Sequence, residues 1–367
     1  MIVNGRSARV LFAGGGTGGH LFPGIAVARE LRRRDPEWQV VFVGAGRALE
    51  VRVLSREGFA LERVRAVGLV GHSPLAVTMG LAQLPMAFLD AWRLLKGFQP
   101  DIVVGLGGYS SGPVVLLAAL GRIATLLMEQ NAVPGVTNRL LGRVVQSAAV
   151  SYDETRSCFG TKGFVSGNPV RAGFFKVEPP RSTVTEPRIL VIGGSQGAHA
   201  LNVAMVEAAP VFAQAPRSVR ITHQSGETDL EMVREGYRSA GVTARVEAFF
   251  ESMDTEMSDA DVVVCRAGAT TLAELAATGR PAILVPYPHA ANDHQRLNAA
   301  LFQKHGAVDV IDPDELTATL LGQRLLALAV DDDRRLARAD ATRRLGMPDA
   351  AGTVADRIER LIAGKES

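Results

Sequence analysis

Residues 9–13 (RVLFA) form a short apolar run that ends in Gly14-Gly15-Gly16-Thr17-Gly18-Gly19-His20. About 180 residues later, residues 188–192 (RILVI) end in Gly193-Gly194-Ser195-Gln196-Gly197-Ala198. Each run reads as a strand and each glycine cluster as a tight turn. A helical pattern follows both, over 23–31 (PGIAVAREL) with its proline suited to a first turn, and again from about Leu201. A chain that opens strand, glycine turn and helix twice is committed to two Rossmann-like, doubly wound α/β domains with parallel sheets.

The segments between the openings keep the alternation. Residues 38–43, 102–106 and 125–129 read as strands, and 114–120 and 134–141 as helices. The domain boundary is expected near Gly167-Asn168-Pro169, giving 1–168 and 169–347, with a helix over about 348–367 that packs back on the first domain. Sheets whose strand C-terminal ends face each other leave a cleft, where ligands of such folds bind.

The second half holds a third turn of this kind. Residues 261–264 are an apolar strand, followed by Cys265-Arg266-Ala267-Gly268-Ala269-Thr270-Thr271, and 271–277 (TLAELAA) has helical spacing. A helix N-terminus after such a turn aims backbone N–H groups and a positive dipole end at one point, where a phosphate is held. Glu274 stands about one turn inside, placed for a sugar hydroxyl. A nucleotide diphosphate site with this carboxylate on the ribose is the expectation.

Gly14, Gly16 and Gly19 match the GxGxxG spacing, but the second strand ends in Val43-Gly44-Ala45-Gly46 with no Asp or Glu placed to hold a ribose. That argues against a nicotinamide dinucleotide, and the absence of GK[ST] argues against a Walker loop. What remains is a glycine loop carrying His20, either a general base or a brace for its own loop. Further polar clusters follow strands at Gly107-Gly108-Tyr109-Ser110-Ser111 and Glu129-Gln130-Asn131, with Asn138 one helix later. Together they suit the hydroxyls of a sugar. In the second half, Ser195 and the N–H groups of 194–197 suit a phosphate. Pro286-Tyr287-Pro288-His289 and Asn292-Asp293-His294-Gln295 crowd another strand end. His289, Asp293 and His294 lack a helical i, i+4 pair, Asp259 and Asp261 precede their strand, and Asp331–Asp333 reads as a solvated run, so no metal is expected.

Composition narrows the rest. Cys158 and Cys265 are the only cysteines and have no redox or metal spacing, which suits a reducing cytoplasm. No secretory signal is expected at residues 1–13. The net charge is +2, but residues 1–168 carry 18 Lys and Arg against 11 Asp and Glu, so the first half is basic. Residues 75–89 (LAVTMGLAQLPMAFL) are uncharged and apolar, too short to span a bilayer, and followed by Arg93 and Lys96. They read either as a core helix or as one lying on a membrane surface.

Taken together, GGGTGGHLFPGIAVA, GGYSSGP, EQNAVPGVTNR, GNPVR, GGSQGA, CRAGATTLAEL and DHQRLNA, in this order, resemble the MurG family of glycosyltransferase family 28. These are UDP-N-acetylglucosamine-dependent transferases of bacterial peptidoglycan synthesis. The resemblance implies a GT-B fold and inverting transfer of GlcNAc to the 4-hydroxyl of MurNAc in undecaprenyl-pyrophosphoryl-MurNAc-pentapeptide (lipid I), without cofactor or essential metal. It places donor contacts at Thr17, Gly18, Gly19, Asn131, Arg171, Ser195 and Gln295. It also puts the uracil at the Phe250 backbone, the diphosphate at Ala269, Thr270 and Thr271, and the ribose at Glu274. His20 matches an acceptor-side position, as do Tyr109 and Asn138; His20 is favoured as base, with Glu129 as runner-up. Where relatives often carry two glutamines, this chain has His294-Gln295, which leaves His294 unassigned. A peripheral position on the cytoplasmic face of the plasma membrane follows, through Leu75–Lys96 and an anionic lipid surface. Cell-wall synthesis proteins are further partners in that setting; a nucleic acid is not. Another GT-B enzyme, such as a glycolipid glycosyltransferase or a UDP-GlcNAc 2-epimerase, and a non-catalytic UDP-GlcNAc sensor are the alternatives.

Overall fold

Val10, Leu11, Phe12 and Ala13 are all fully buried, and they point alternately into two separate apolar clusters. A strand buried on both faces belongs inside a parallel sheet covered by helices. The computed structural model describes residues 1–3, 5–65, 74–194 and 197–364, with the side chains of 74–82 outside that description. The chain divides into two compact units, Met1–Arg171 with Pro348–Ser367, and Ala172–Met347.

In the first unit the run is β1 (Arg9–Gly14), followed by α1 (Gly18–Arg34), β2 (Gln39–Gly44), α2 (Ala48–Glu57), β3 (Ala60–Arg63) and α3 (Pro74–Phe98). Then come β4 (Ile102–Gly107), α4 (Ser111–Leu120), β5 (Ala124–Glu129), α5 (Val136–Leu141), β6 (Ser147–Val150) and β7 (Gly163–Val165). The seven strands are parallel, in the order β3-β2-β1-β4-β5-β6-β7. The apolar stretch at 75–89 belongs to the 25-residue α3, with Pro85 inside it. Among the described residues no helix is long and apolar enough to cross a membrane.

The second unit repeats the plan with β8 (Arg188–Ile192), α6 (His199–Glu207), β9 (Arg220–Gln224), β10 (Ala244–Glu247), β11 (Val262–Cys265) and α7 (Ala269–Thr278). It continues through β12 (Ala282–Leu284), α8 (His294–Lys304) and β13 (Val308–Val310). Its parallel order is β10-β9-β8-β11-β12-β13. α9 (Ala350–Ile362) follows and places Val354, Ala355, Ile358 and Leu361 in the core cluster that holds β1 and α1.

In both sheets the first strand lies between the second and the fourth of its unit, so the winding reverses there. Ligands of such sheets bind outside the strand C-terminal ends at that reversal. The glycine turns after β1 and β4 meet at the reversal of the first unit, and those after β8 and β11 at that of the second. Pairing of β1 with β4 shifts register between Ala13 and Gly14, which brings the Gly14 backbone hard against Gly107. A side chain at Gly14 would collide with the Gly107 carbonyl.

Candidate active site

His20 sits in the first turn of α1, directly after the glycine loop. The Thr17 hydroxyl lies 3.3 Å from its Nδ1. The Cδ2–Nε2 edge of the ring faces Gly107, where an added Cβ would stand 3.1 Å and 3.2 Å from those atoms. The same point is 3.6 Å from Asn138 Nδ2, so the two glycine turns bring His20 beside Asn138. Gly107 (φ +96°) and Gly108 (φ +79°) adopt conformations suited to glycine, and Ser111 Oγ donates to the Gly108 carbonyl at 2.8 Å. Tyr109 follows them, partly exposed. Gly18 packs against the Phe22 ring, and the Arg171 guanidinium stands 5.2 Å from the centre of that ring.

Glu129 ends β5 and is 3 % exposed. Its Oε1 accepts the Asn131 N–H at 3.0 Å and Asn131 Nδ2 at 3.2 Å. Its Oε2 accepts the Gly135 N–H at 3.1 Å and Asn138 Nδ2 at 2.9 Å. Four donors surround the carboxylate, all from the nine residues that follow it. Such a carboxylate organises its loop. Asn138 Nδ2 also donates to the Met128 carbonyl at 3.1 Å, so its amide is oriented by two acceptors. Its Oδ1 is buried with no hydrogen-bond partner among the described residues. A buried acceptor in that state is costly unless a ligand supplies a donor.

In the second unit, α7 starts at Ala269, two residues before the sequence pattern did, with Gly268 as N-cap. Ala269, Thr270 and Thr271 therefore form its first turn, where backbone N–H groups have no acceptor within the helix. Glu274 is buried on the same helix. Two side chains that the sequence does not single out, Asn298 and Arg266, brace this turn. Asn298 of α8, fully buried, donates to the Ala267 carbonyl at 3.2 Å. Arg266 donates from Nη1 to the carbonyls of Val285 and Pro286, each at 3.1 Å, and burial pushes its pKa down. Its visible signal was a cation at the end of a buried strand. Gln224 ends β9, and its Oε1 accepts the Phe250 N–H at 3.1 Å. Burial pushes the neighbouring Cys265 thiol up to about 12, which keeps it a protonated and unreactive core group.

Gln295 accepts the Tyr287 N–H on its Oε1 at 2.9 Å, so its amide nitrogen faces away from that loop. His294 Nδ1 lies 2.6 Å from the Ala291 carbonyl. That contact requires a proton on Nδ1. Asn292 and Asp293 ahead of it are both left-handed, at φ +53° and +54°. Ser195 lies outside the described residues. The other expected residues fall into two sets. Thr17, Gly18, Gly19, His20, Tyr109, Glu129, Asn131, Asn138 and Arg171 belong to the first unit, and Phe250, Ala269, Thr270, Thr271, Glu274 and Gln295 to the second. Among the described residues, no three His, Cys, Asp or Glu side chains are grouped to hold a metal ion.

Comparison with known proteins gives a consistent set of relatives. The glycosyltransferase family 28 N-terminal domain model matches residues 10–150, and the C-terminal domain model of the same family matches 188–354. The UDP-N-acetylglucosamine--N-acetylmuramyl-(pentapeptide) pyrophosphoryl-undecaprenol N-acetylglucosamine transferase of Anaeromyxobacter sp. (strain K) is 46 % identical over 356 residues, 96 % of this chain and 93 % of that protein. The Geobacter sulfurreducens protein of the same name is 44 % identical over 95 % of this chain and 98 % of its own. Among solved structures, Acinetobacter baumannii MurG superposes with a TM-score of 0.77 at 30 % identity, covering 96 % of this chain and 99 % of that one. UDP-GlcNAc 2-epimerase from Neisseria meningitidis, at 13 % identity and a TM-score of 0.67 over 96 % and 100 % of the two chains, shares the fold alone.

Proposed function

The chain belongs to glycosyltransferase family 28, and we propose from that membership that it carries out the reaction its relatives are named for. It is an N-acetylglucosamine transferase of the GT-B fold. Its donor is UDP-GlcNAc, its acceptor is lipid I, and its product is lipid II for peptidoglycan.

In our reading the two units divide the chemistry. The second unit holds the donor: the first turn of α7 takes the diphosphate, Glu274 the ribose, the Phe250 backbone the uracil and Gln295 the sugar. The first unit serves the acceptor and adds donor contacts from Thr17, Gly18, Gly19, Asn131 and Arg171. The observation that carries this part is the meeting of His20, Asn138 and Gly107 at the sheet's reversal point, with an unpartnered buried acceptor on Asn138. The acceptor 4-hydroxyl oxygen attacks the anomeric carbon and its proton passes to His20. The bond from that carbon to the diphosphate oxygen breaks, inverting the centre, and the electron pair leaves on UDP. Proton transfer of this kind is worth about 10²–10⁴-fold. Glu129, with four donors already on it, serves to fix Asn131 and Asn138. The departing charge meets the N–H groups of α7, each well-placed donor worth about 2.7–4 kcal/mol. The deciding assay supplies labelled UDP-GlcNAc and lipid I to the purified protein. Labelled lipid II with released UDP is expected. An epimerised UDP-sugar, or donor bound without turnover, would sink the proposal.

The acceptor's undecaprenyl chain stays in a bilayer, and one face of the first unit suits that. Trp92 on α3, Leu120 at the end of α4 and Leu140 on α5 are exposed. Arg93, Lys96 and Arg139 stand on the same helices. Apolar side chains among cations bind an anionic lipid surface, with about 1 kcal/mol per Lys or Arg near it. We place this face on the cytoplasmic leaflet. Co-sedimentation with phosphatidylglycerol vesicles, lost in Trp92→Ala with Leu140→Ala, tests the assignment; equal binding to neutral vesicles contradicts it.

A further inference from the structure

The glycine turn that presents His20 is built around a carboxylate. Glu50, near the start of α2, is 1 % exposed. Its Oε1 accepts the Gly16 N–H at 2.6 Å and its Oε2 accepts the Arg47 N–H at 2.9 Å. Two glycines leave this group its room. A Cβ on Gly15 would stand 2.6 Å from Oε1, and one on Gly44 would stand 2.8 Å from both carboxylate oxygens. Gly16, at φ +86°, turns its N–H inward, and Arg47 Nη1 donates to the Gly16 carbonyl at 3.2 Å. Both polar groups of Gly16 are therefore held by residues 47–50.

A glycine turn between a parallel strand and a helix is a nest for an anion. Here the anion comes from the chain itself. We propose that Glu50 is a positioning residue for the transfer reaction: its carboxylate fills the phosphate nest of the first glycine turn and fixes the start of α1, so that Thr17–His20 is presented to the acceptor. The filled nest repels the donor's diphosphate, which leaves the turn after β11 as the place where the nucleotide binds. Glu50 touches no reacting atom and acts through Gly16. This inference rests on the reading of His20 given above.

Glu50→Ala in the full chain, assayed with UDP-GlcNAc and a lipid I analogue, is the test, with formate as the probe of the vacated slot. The expected result is a fall in kcat of at least tenfold, well beyond any rise in the KM for UDP-GlcNAc. Formate should restore turnover severalfold in this variant and leave the wild type unchanged. Glu50→Gln keeps the shape and the fold; it should lose turnover to a smaller degree and ignore formate. Wild-type turnover in Glu50→Gln overturns the proposal. So does a loss in Glu50→Ala that formate does not touch and that raises the donor KM in proportion, since that pattern belongs to general loosening. His20→Ala run in parallel separates the two readings. Full turnover there removes the base assignment, while the formate response of Glu50→Ala still reports on the turn.

Discussion

The turns after β1 and after β8 occupy the same place in their units, yet their interiors differ. Gly15 has the Glu50 carboxylate where its side chain would be, whereas in the second turn Gly193 and Gly197 face backbone carbonyls, of Gln224 and Ser225, and a Cβ on Gly194 would meet nothing within 4 Å among the described residues. The turn after β11 resembles the open one, since at Gly268 the added Cβ meets only Thr271 Oγ1, at 3.8 Å. A phosphate oxygen placed about 4 Å from a buried carboxylate is repelled by about 4 kcal/mol at an effective dielectric of about 20. Glycine spacing alone therefore does not mark a phosphate site. What decides is whether the chain has already supplied the anion.

Four experiments press on that contrast. The largest effect is expected at His20. His20→Ala should lower kcat by about 10²–10⁴-fold, with UDP affinity by calorimetry unchanged; a parallel loss of UDP affinity would put the nucleotide in the closed turn. Next comes Glu274→Ala, which removes a charged hydrogen bond worth about 1.5–3 kcal/mol. UDP and UDP-GlcNAc should weaken alike, by about 10–100-fold, and unchanged UDP affinity would remove the ribose role.

The third concerns the core behind the open turn. His223 on β9 contacts Tyr237 and Asn202, each at 3.0 Å, and burial lowers its pKa from 6.5 to about 3. The folded chain keeps it neutral while the unfolded chain takes up a proton below 6.5. Its contribution is thus complete above that pH and falls as pH drops toward 3, by about 1.4 kcal/mol at pH 5.5. Unfolding midpoints measured from pH 7.5 to 5 should show this slope, and His223→Gln should flatten it.

The fourth experiment compares the two turns directly. Gly15→Ala at φ +154° meets the carboxylate and should cost about 1–3 kcal/mol, whereas Gly268→Ala at φ −67° should cost under about 1 kcal/mol. Equal melting temperatures for the two would erase the distinction between closed and open turns.

The strands were legible because a parallel sheet buries both faces and leaves an unbroken apolar run, as at Val10–Ala13 and Val262–Cys265. The turns were legible through their glycines. The brace of the first turn was not. No acid stands directly at the end of β2, where a ribose would need one. Glu50 comes later, inside α2, and bonds a residue 34 positions upstream. Asn298 and Gln224 were hidden for the same reason, since each acts across the sheet edge on a backbone group far from it in sequence. Glu129 shows the converse. A carboxylate at a strand end reads as a candidate base, and the four donors that converge on it were not legible in the sequence. The apolar stretch in α3 was plain, but periodicity did not give the helix's full length to Phe98.

α9 carries a different lesson. Val354, Ala355, Ile358 and Leu361 complete a core whose other members lie between Ala8 and Ala149. During synthesis, the first domain to leave the ribosome therefore waits for a helix made after the whole of the second. Until then α1, β4 and β5 keep an uncovered apolar face, the kind of surface that makes a nascent chain prone to aggregate. The second unit, continuous from Ala172 to Met347, is under no such delay and is free to fold first.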